Sequence, residues 1–274
     1  MPRVSIAPLL RVSRDGTRTD QDLVAVEAPL TIELEYGPAR ERASLGIFMR
    51  TPGDDEAFAA GLLHAEGIVR TAADIAGMAL TVDADDVSAT LRLTLAPHVT
   101  FDPAALARSG VSTTACGLCG KLTALTSGQH VGNQFARAPR SGGAAELIPD
   151  MLFQLPERLR AAQAVFAKTG GLHAAAFVAS DGAIVDVTED VGRHNAVDKL
   201  IGRAVLAGAV PPAHGHMLVV SGRVAYEIVQ KAAMASVGVL VAIGAPSSLA
   251  VQAAREAGIT LIGFAKDGSY NVYG

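Results

Sequence analysis

The sequence predicts an α/β protein: a C-terminal unit on a mixed sheet with helices on both faces, preceded by a smaller α+β unit. Three observations predict it. Half of the 274 residues are hydrophobic, fewer than a fifth are charged and Trp is absent. The core must therefore be built from Ala, Val, Leu and Ile, which suits helices packed on buried strands. Residues 172–273 alternate short apolar runs with helical periods in the order β-β-α-β-α-β-α-β, the pattern of a sheet whose later strands are parallel. The first half places strands in neighbouring pairs around one helix, which reads as α+β.

Each element has a local reason. Residues 1–24 read as a flexible tail. Leu30, Ile32, Leu34 and Tyr36 recur at period two and predict a strand, with Ala43–Arg50 as its partner after a turn at Gly37-Pro38. Thr51-Pro52-Gly53-Asp54 signals a helix start, and Phe58, Leu62 and Leu63 form its apolar stripe up to Gly67. Met78–Val82 and Val87–Leu95 are two further strands around an acidic turn. Residues 112–121 form a cysteine loop, and 128–149, rich in Gly, Pro and Arg, read as a linker or mobile loop. A helix over Asp150–Lys168 stops at Gly170-Gly171. Leu172–Ala179 and Ala183–Val187 form a hairpin around Ser180-Asp181-Gly182. Helices follow at Asn195–Ala207 and Val224–Ser236, and a third is capped by Ser247 or Ser248 and ended by Gly258. They alternate with strands at Met217–Val220, Val239–Ile243, Ile259–Phe264 and Tyr270–Tyr273. The expected division is a tail (1–24), an α+β domain ending in the cysteine loop (25–127), the linker (128–149) and the α/β domain (150–274).

Several classes are disfavoured. Net charge is −4 with no long basic run, which argues against nucleic-acid binding. The longest apolar run, Val237–Ala245, is far short of the ~20 residues that span a bilayer. The N-terminus carries Arg3, Arg11, Arg14 and Arg18 and lacks a secretory apolar region, so the cytoplasm is the expected location.

The two cysteines, Cys116 and Cys119, stand three positions apart. In a reducing compartment such a pair is redox-active, metal-binding or catalytic. The loop Thr113–Lys121 is small or polar except at Leu118, and a glycine follows each cysteine, which favours an exposed thiol with backbone freedom. A nearby cation such as Lys121 favours the reactive thiolate. Three chemistries fit: a dithiol redox switch, half of a zinc site, or a persulfide carrier in which one cysteine holds a terminal sulfur and the other helps release it. A zinc-dependent nucleoside or base deaminase is a distinct alternative, because His64-Ala65-Glu66 with Cys116 and Cys119 matches that signature, Glu66 acting as proton shuttle. Against it, Ala115 stands where that signature has Pro, and the intervening stretch is long. His64 then reads as a surface or cap residue on its helix.

A second group of motifs gathers at strand-to-helix turns, where α/β sheets place ligands. Glu189–Lys199 is dense in polar groups. Arg193 can fork onto a phosphate or carboxylate and His194 can donate to one. The other reading is a charged helix cap in which Asp190 and Asp198 offset Arg193 and Lys199. Ser221-Gly222-Arg223 and Gly244–Ser248 are two more such turns, His173 opens a strand, and Phe264–Ser269 closes one. Together they favour an anionic ligand such as a nucleotide, without a Walker or Rossmann fingerprint.

From Glu27 to Tyr273 the chain resembles the FdhD family of formate dehydrogenase accessory proteins. The resemblance lies in Met49–Gly53, Glu66-Gly67-Ile68, Cys116-Gly117-Leu118-Cys119-Gly120, Thr169–Ala175, Glu189–Lys199, Ser221-Gly222-Arg223, Ala245–Ala250 and Asn271-Val272-Tyr273. It implies a homodimeric sulfurtransferase with a cytidine deaminase-like C-terminal half and no zinc. Cys116 would receive sulfur from a cysteine desulfurase as a persulfide, with Cys119 assisting. The sulfur would pass to the molybdenum of a bis-molybdopterin guanine dinucleotide cofactor before it enters formate dehydrogenase. Phe264, Ala265, Lys266, Asp267, Gly268 and Ser269 would bind that cofactor. His173, Arg193, His194, Ser221 and Arg223 are further candidates around its guanine nucleotide. Lys266 stands where the family usually has Arg, and Ser269 where another basic residue is common. A point charge thus replaces a bidentate fork.

Overall fold

The computed structural model of the chain describes residues 1–103, 149–210 and 216–273. The first departure from the sequence reading is at the N-terminus. Residues predicted as a tail form a ribbon, with β1 (Val4–Ser13) paired antiparallel to β2 (Gly16–Ala25) along its whole length. Val4, Ile6, Leu10 and Val12 do recur at period two, but Pro8 and the interspersed charges hide the signal. A proline is tolerated in such a ribbon because one side of it is an edge.

The next unit follows the predicted pattern. β3 (Ala28–Tyr36) buries Leu30, Ile32 and Leu34 on one face. It pairs antiparallel with β4 (Glu41–Arg50) and parallel with β6 (Ala89–Leu95), and β5 (Ile75–Val82) closes the order β4-β3-β6-β5. Helix α1 (Asp55–Ala65) lies against this sheet. It is buried nearly all round rather than along one stripe, because a second helix covers its other side. That is the structural context of a helix with small residues on every face.

In the larger unit, α2 (Pro149–Ala162) and the single turn α3 (Phe166–Thr169) precede the hairpin β7 (His173–Val178) and β8 (Ile184–Asp190). Gly170 takes the left-handed conformation that ends α3. Then come α4 (Arg193–Leu206), β9 (Met217–Val220), α5 (Tyr226–Met234), β10 (Val239–Ala242), α6 (Ser248–Ala257), β11 (Thr260–Lys266) and β12 (Ser269–Val272). Ser247 Oγ caps α6 by accepting from Ala250 N, and left-handed Gly258 ends it. The six strands stand in the order β12-β11-β10-β9-β7-β8, with β9, β10 and β11 parallel and the others antiparallel to their neighbours.

Alternate residues of these strands go to opposite cores. Ala175, Phe177, Leu218 and Leu240 join α1, α4, α5 and α6 in one cluster that continues to the first sheet. Ala176, Val219, Val241 and Ile262 meet Met151, Leu152, Leu155 and Leu159 of α2 on the other face. The two units are thus joined through α1 and α4. These helices meet at Gly61 and Gly202, where a Cβ on either would run into the backbone carbonyl of Asp198 or Ala57. Among the described residues, no helix is long and apolar enough to cross a membrane.

Candidate functional site

Parallel strands β9, β10 and β11 bring their C-terminal ends to one sheet edge. β7 runs the other way, with Ala175 opposite Val220, so its first residue, His173, arrives at the same edge. Ser221 ties them together: its N–H donates to Ala174 O and its Oγ accepts from Ala174 N, at 3.0 and 2.9 Å. The turns behind these strands approach closely because glycines allow it. Gly244 N donates to Gly222 O at 3.2 Å, and a Cβ on Gly244 would lie 2.7 Å from that same oxygen. Gly222 in turn lies between His173 and Arg193: its Cβ would sit 3.2 Å from the His173 ring and 3.6 Å from Arg193 Cβ.

The charges at this edge are unbalanced toward cation. The cap reading of the sequence has Asp190 and Asp198 offset Arg193 and Lys199; the structure bears it out for Lys199 and leaves neither carboxylate to Arg193. Asp190 pairs with Lys199 at 2.7 Å, and Asp198 pairs with Lys231 at 2.6 Å. Arg193 Nε and His194 Nε2 are buried with no hydrogen-bond partner among the described residues. The carboxylate facing His194 Nε2, that of Glu227, is 3.9 Å away, beyond bonding range. Burial, aided by Lys231, Arg193 and His173, pushes the His194 pKa down to about 3. Burial with Arg193 and Arg223 also lowers His173, although Asp190 opposes it. Both rings are neutral at neutral pH, each with one N–H to donate. Orphaned donors beside uncompensated cations are what an incoming anion would satisfy.

Phe264 completes the edge. Its φ is 55°, a left-handed conformation uncommon for an aromatic residue, and its side chain is half exposed between buried Gly263 and Ala265. The backbone is held there by Phe264 N donating to Gly244 O at 3.1 Å and by a shift in the β11–β12 register. A strained residue that keeps an aromatic ring in solvent is a candidate for ligand contact. Lys266 and Ser269 pair across the β11–β12 hairpin, with Asp267 and Gly268 as its exposed tip. This hairpin projects past the edge. Ala265 does not join it: it is buried in the core on the α2 side.

The edge is held from behind by a residue that the sequence reading treated only as a cap. Asp190 Oδ1 accepts from Gly192 N (2.8 Å) and Asn195 Nδ2 (2.9 Å), and its Oδ2 accepts from Thr51 N (3.0 Å) and meets Lys199 Nζ. Lys199 also donates to Thr51 O at 2.7 Å. One fully buried carboxylate thus ties the start of α4, which carries Arg193 and His194, to the end of β4. Arg50 is equally buried, forked onto Asp55 and donating to Ala28 O and Val87 O. Thr51 and Asp190 are 139 positions apart, so no local pattern links them.

His64 is not the surface residue that the sequence predicts. It is buried, with Nδ1 3.0 Å from Val69 O and Nε2 3.1 Å from Met234 O. The bulk between α1 and α5 leaves no solvent face, and both ring nitrogens already face carbonyls. Met234 ends α5, whose nine residues start at the sheet edge, so His64 sits roughly 13 Å along that helix from the edge. Glu66 follows at the C-cap of α1. Cys116 and Cys119 lie outside the described residues.

The lowered histidines carry a pH consequence. An unfolded histidine titrates near 6.5, whereas His194, His173 and His64 bind a proton more weakly when folded. Below pH 6.5 the unfolded chain takes up protons that the native state resists, so stability falls with pH toward about 3, where His194 titrates. Urea unfolding should show a lower midpoint at pH 5 than at pH 7. His194→Gln should shrink that difference by about 1–2 kcal/mol; an unchanged difference would place the sensitivity elsewhere.

Fold and site together define a three-layer α/β protein with an anion-receptive sheet edge, fused to a four-stranded α+β unit. The family model of the FdhD/NarQ family matches residues 25–274. The chain belongs to that family. It is 43% identical over 269 residues to the sulfur carrier protein FdhD of Streptomyces avermitilis, covering 97% of this chain and 92% of the other. The FdhD protein of Streptomyces coelicolor is 44% identical over the same length and coverage. A crystal structure from Desulfotalea psychrophila, assigned as a formate dehydrogenase accessory protein, superposes with a TM-score of 0.70 at 21% identity, covering 99% of this chain and 97% of the other. That likeness bears on the fold.

Proposed function

We propose that this chain is a sulfur carrier for formate dehydrogenase maturation. The observation that carries the reading is identity above 40%, along nearly the whole chain, to proteins named sulfur carrier protein FdhD. The Cys116 thiolate attacks the terminal sulfur of a cysteine desulfurase persulfide. The old S–S bond breaks, the desulfurase thiolate leaves, and Cys116 holds the persulfide. Attack by Cys119 on the Cys116 sulfur then forms a Cys116–Cys119 disulfide and frees the terminal sulfur as sulfide for the molybdenum of the bound bis-molybdopterin guanine dinucleotide. The cofactor is substrate, not a resident group. Its pyrophosphate suits the orphaned donors of Arg193 and His194, and its guanine suits the exposed Phe264 ring. We read the C-terminal unit as cytidine deaminase-like in architecture and used without zinc. The deaminase alternative gains no support, since both His64 nitrogens are occupied by carbonyls. A cytoplasmic site of action and a homodimer belong to the same proposal.

The test is maturation of formate dehydrogenase in a host lacking its own accessory protein. Cys116→Ala should abolish it. If Cys116→Ala matures the enzyme fully while Arg193→Ala does not, the chain carries the cofactor without handling sulfur. Guanosine diphosphate serves as a probe of the sheet edge. Phe264→Gly relieves a left-handed aromatic residue and should leave the melting temperature unchanged or higher. The same change should weaken the probe about 5- to 100-fold through lost stacking. Unchanged affinity would remove Phe264 from the site.

A further inference from the structure

The β11–β12 hairpin carries a bulge. Its register pairs Gly263 with Asn271 and Lys266 with Ser269, so Phe264 and Ala265 stand opposite Tyr270 alone. Two residues facing one is a β-bulge. Its effect is visible in the core: Ile262 and Ala265 both enter the cluster on the α2 side, although residues three apart on a regular strand face opposite ways. The inserted residue is Phe264, left-handed at φ 55° and 47% exposed. Bulges beside binding sites re-aim a side chain, and here the side chain is the Phe264 ring. Glycine would take this conformation without strain, so a phenylalanine there needs support from its surroundings.

One support lies before the bulge. Gly263 is closed in, since a Cβ there would lie 2.7 Å from Pro246 Cδ and 3.1 Å from the Tyr273 ring. The other support is the residue opposite. Tyr270 is partly buried against the cluster that Ile262 and Ala265 share with α2. Its ring meets that of Phe153 on α2 at 5.5 Å, tilted by 43°, a favourable aromatic separation. Among the described residues the Tyr270 hydroxyl makes no hydrogen bond, so the ring is the part that matters. We infer that Tyr270 is a positioning residue for the sheet edge: braced by Phe153, its ring holds the bulge that turns Phe264 toward the ligand. The inference rests on the reading of this edge as a guanine nucleotide site. Tyr270 acts through Phe264, and Phe153 acts through Tyr270.

The experiment has two arms, run on the full chain and on Tyr270→Phe, Tyr270→Ala, Phe153→Ala, Val272→Thr, Phe264→Gly and the double variant Phe264→Gly with Tyr270→Ala. The first arm is amide hydrogen exchange without ligand. Tyr270→Ala and Phe153→Ala should speed exchange in the Phe264–Tyr270 segment roughly tenfold, as the bond from Phe264 N to Gly244 O opens, and leave β9 and β10 as they are. Tyr270→Phe keeps the ring and should exchange like the parent, as should Val272→Thr on the same strand. The second arm is calorimetric binding of guanosine diphosphate. Tyr270→Ala should weaken it about 5- to 20-fold, and Tyr270→Phe should restore it. In the Phe264→Gly background Tyr270→Ala should cost nothing more, because the ring it positions is gone. An unchanged hairpin in Tyr270→Ala, equal acceleration throughout the sheet, or a full loss of affinity on adding Tyr270→Ala to Phe264→Gly overturns the inference. A parent that does not bind guanosine diphosphate sinks the nucleotide reading instead, and the exchange arm alone then decides whether Tyr270 braces the bulge.

Discussion

Asp190→Ala is expected to destabilise the protein by about 3–5 kcal/mol, a large share of the roughly 5–15 kcal/mol that holds a typical domain folded. The substitution leaves the Lys199 ammonium buried with, among the described residues, only Thr51 O as a hydrogen-bond partner, takes the side-chain acceptor from Thr51 N and Gly192 N, and leaves Asn195 Nδ2 with Met49 O alone. Such a loss is costly because the remaining charge keeps its desolvation penalty without its counter-ion. Removing both ends tests the cause. The double variant Asp190→Leu with Lys199→Met should be less destabilised than Asp190→Ala alone, read by urea unfolding. If the double variant lost as much as the two single changes added together, the ion pair would not be the lock. Because the same carboxylate fixes the turn before Arg193, Asp190→Ala should also weaken guanosine diphosphate binding under conditions where the variant remains folded.

The second large effect is expected at the helix crossing. Gly202→Ala and Gly61→Ala should each lower stability by roughly 3 kcal/mol, a fall in Tm of roughly 6–12 °C. On helix propensity alone the change should help by about 1 kcal/mol, so the sign is diagnostic. The obstacle is backbone: the added Cβ meets the carbonyl of Asp198 or Ala57, which cannot rotate away as a side chain would. α1 and α4 must separate, and the core shared by the two sheets opens with them. Gly77→Ala is the control, since nothing lies within 4 Å of that Cβ and it should be neutral. Equal effects at Gly77 and Gly202 would contradict the close crossing.

Local chemistry was readable where it is locally decided. The Leu30–Leu34 alternation, the Ser247 cap, the Gly170 and Gly258 stops and the β9–α5–β10–α6–β11 alternation each depend on neighbours within a few positions, and each holds in the structure. The candidate edge was legible in the same way, because strand-to-helix turns announce themselves by Gly, Ser and Arg. What stayed hidden depends on distant partners. Nothing near Asp190 says that its carboxylate serves Thr51, and nothing near His64 says that Met234 closes over it. The sequence sets Asp190 and Asp198 against Arg193 and Lys199 by proximity; the fold gives Asp190 to Lys199 and Asp198 to the distant Lys231, and among the described residues Arg193 Nε is left without a partner. Ala265 was grouped with the edge because its neighbours belong there. Strand alternation sends it to the core instead. The N-terminal ribbon escaped notice because its apolar face is uncovered within one chain, so the usual burial pattern is missing.

The central claim is that Cys116 carries a sulfur atom. Its most direct test is mass spectrometry of the purified protein after incubation with a cysteine desulfurase and cysteine. The account predicts a gain of one sulfur that maps to Cys116, is absent from Cys116→Ala and is removed by a thiol reductant. An unmodified Cys116, or the same gain in Cys116→Ala, would contradict it.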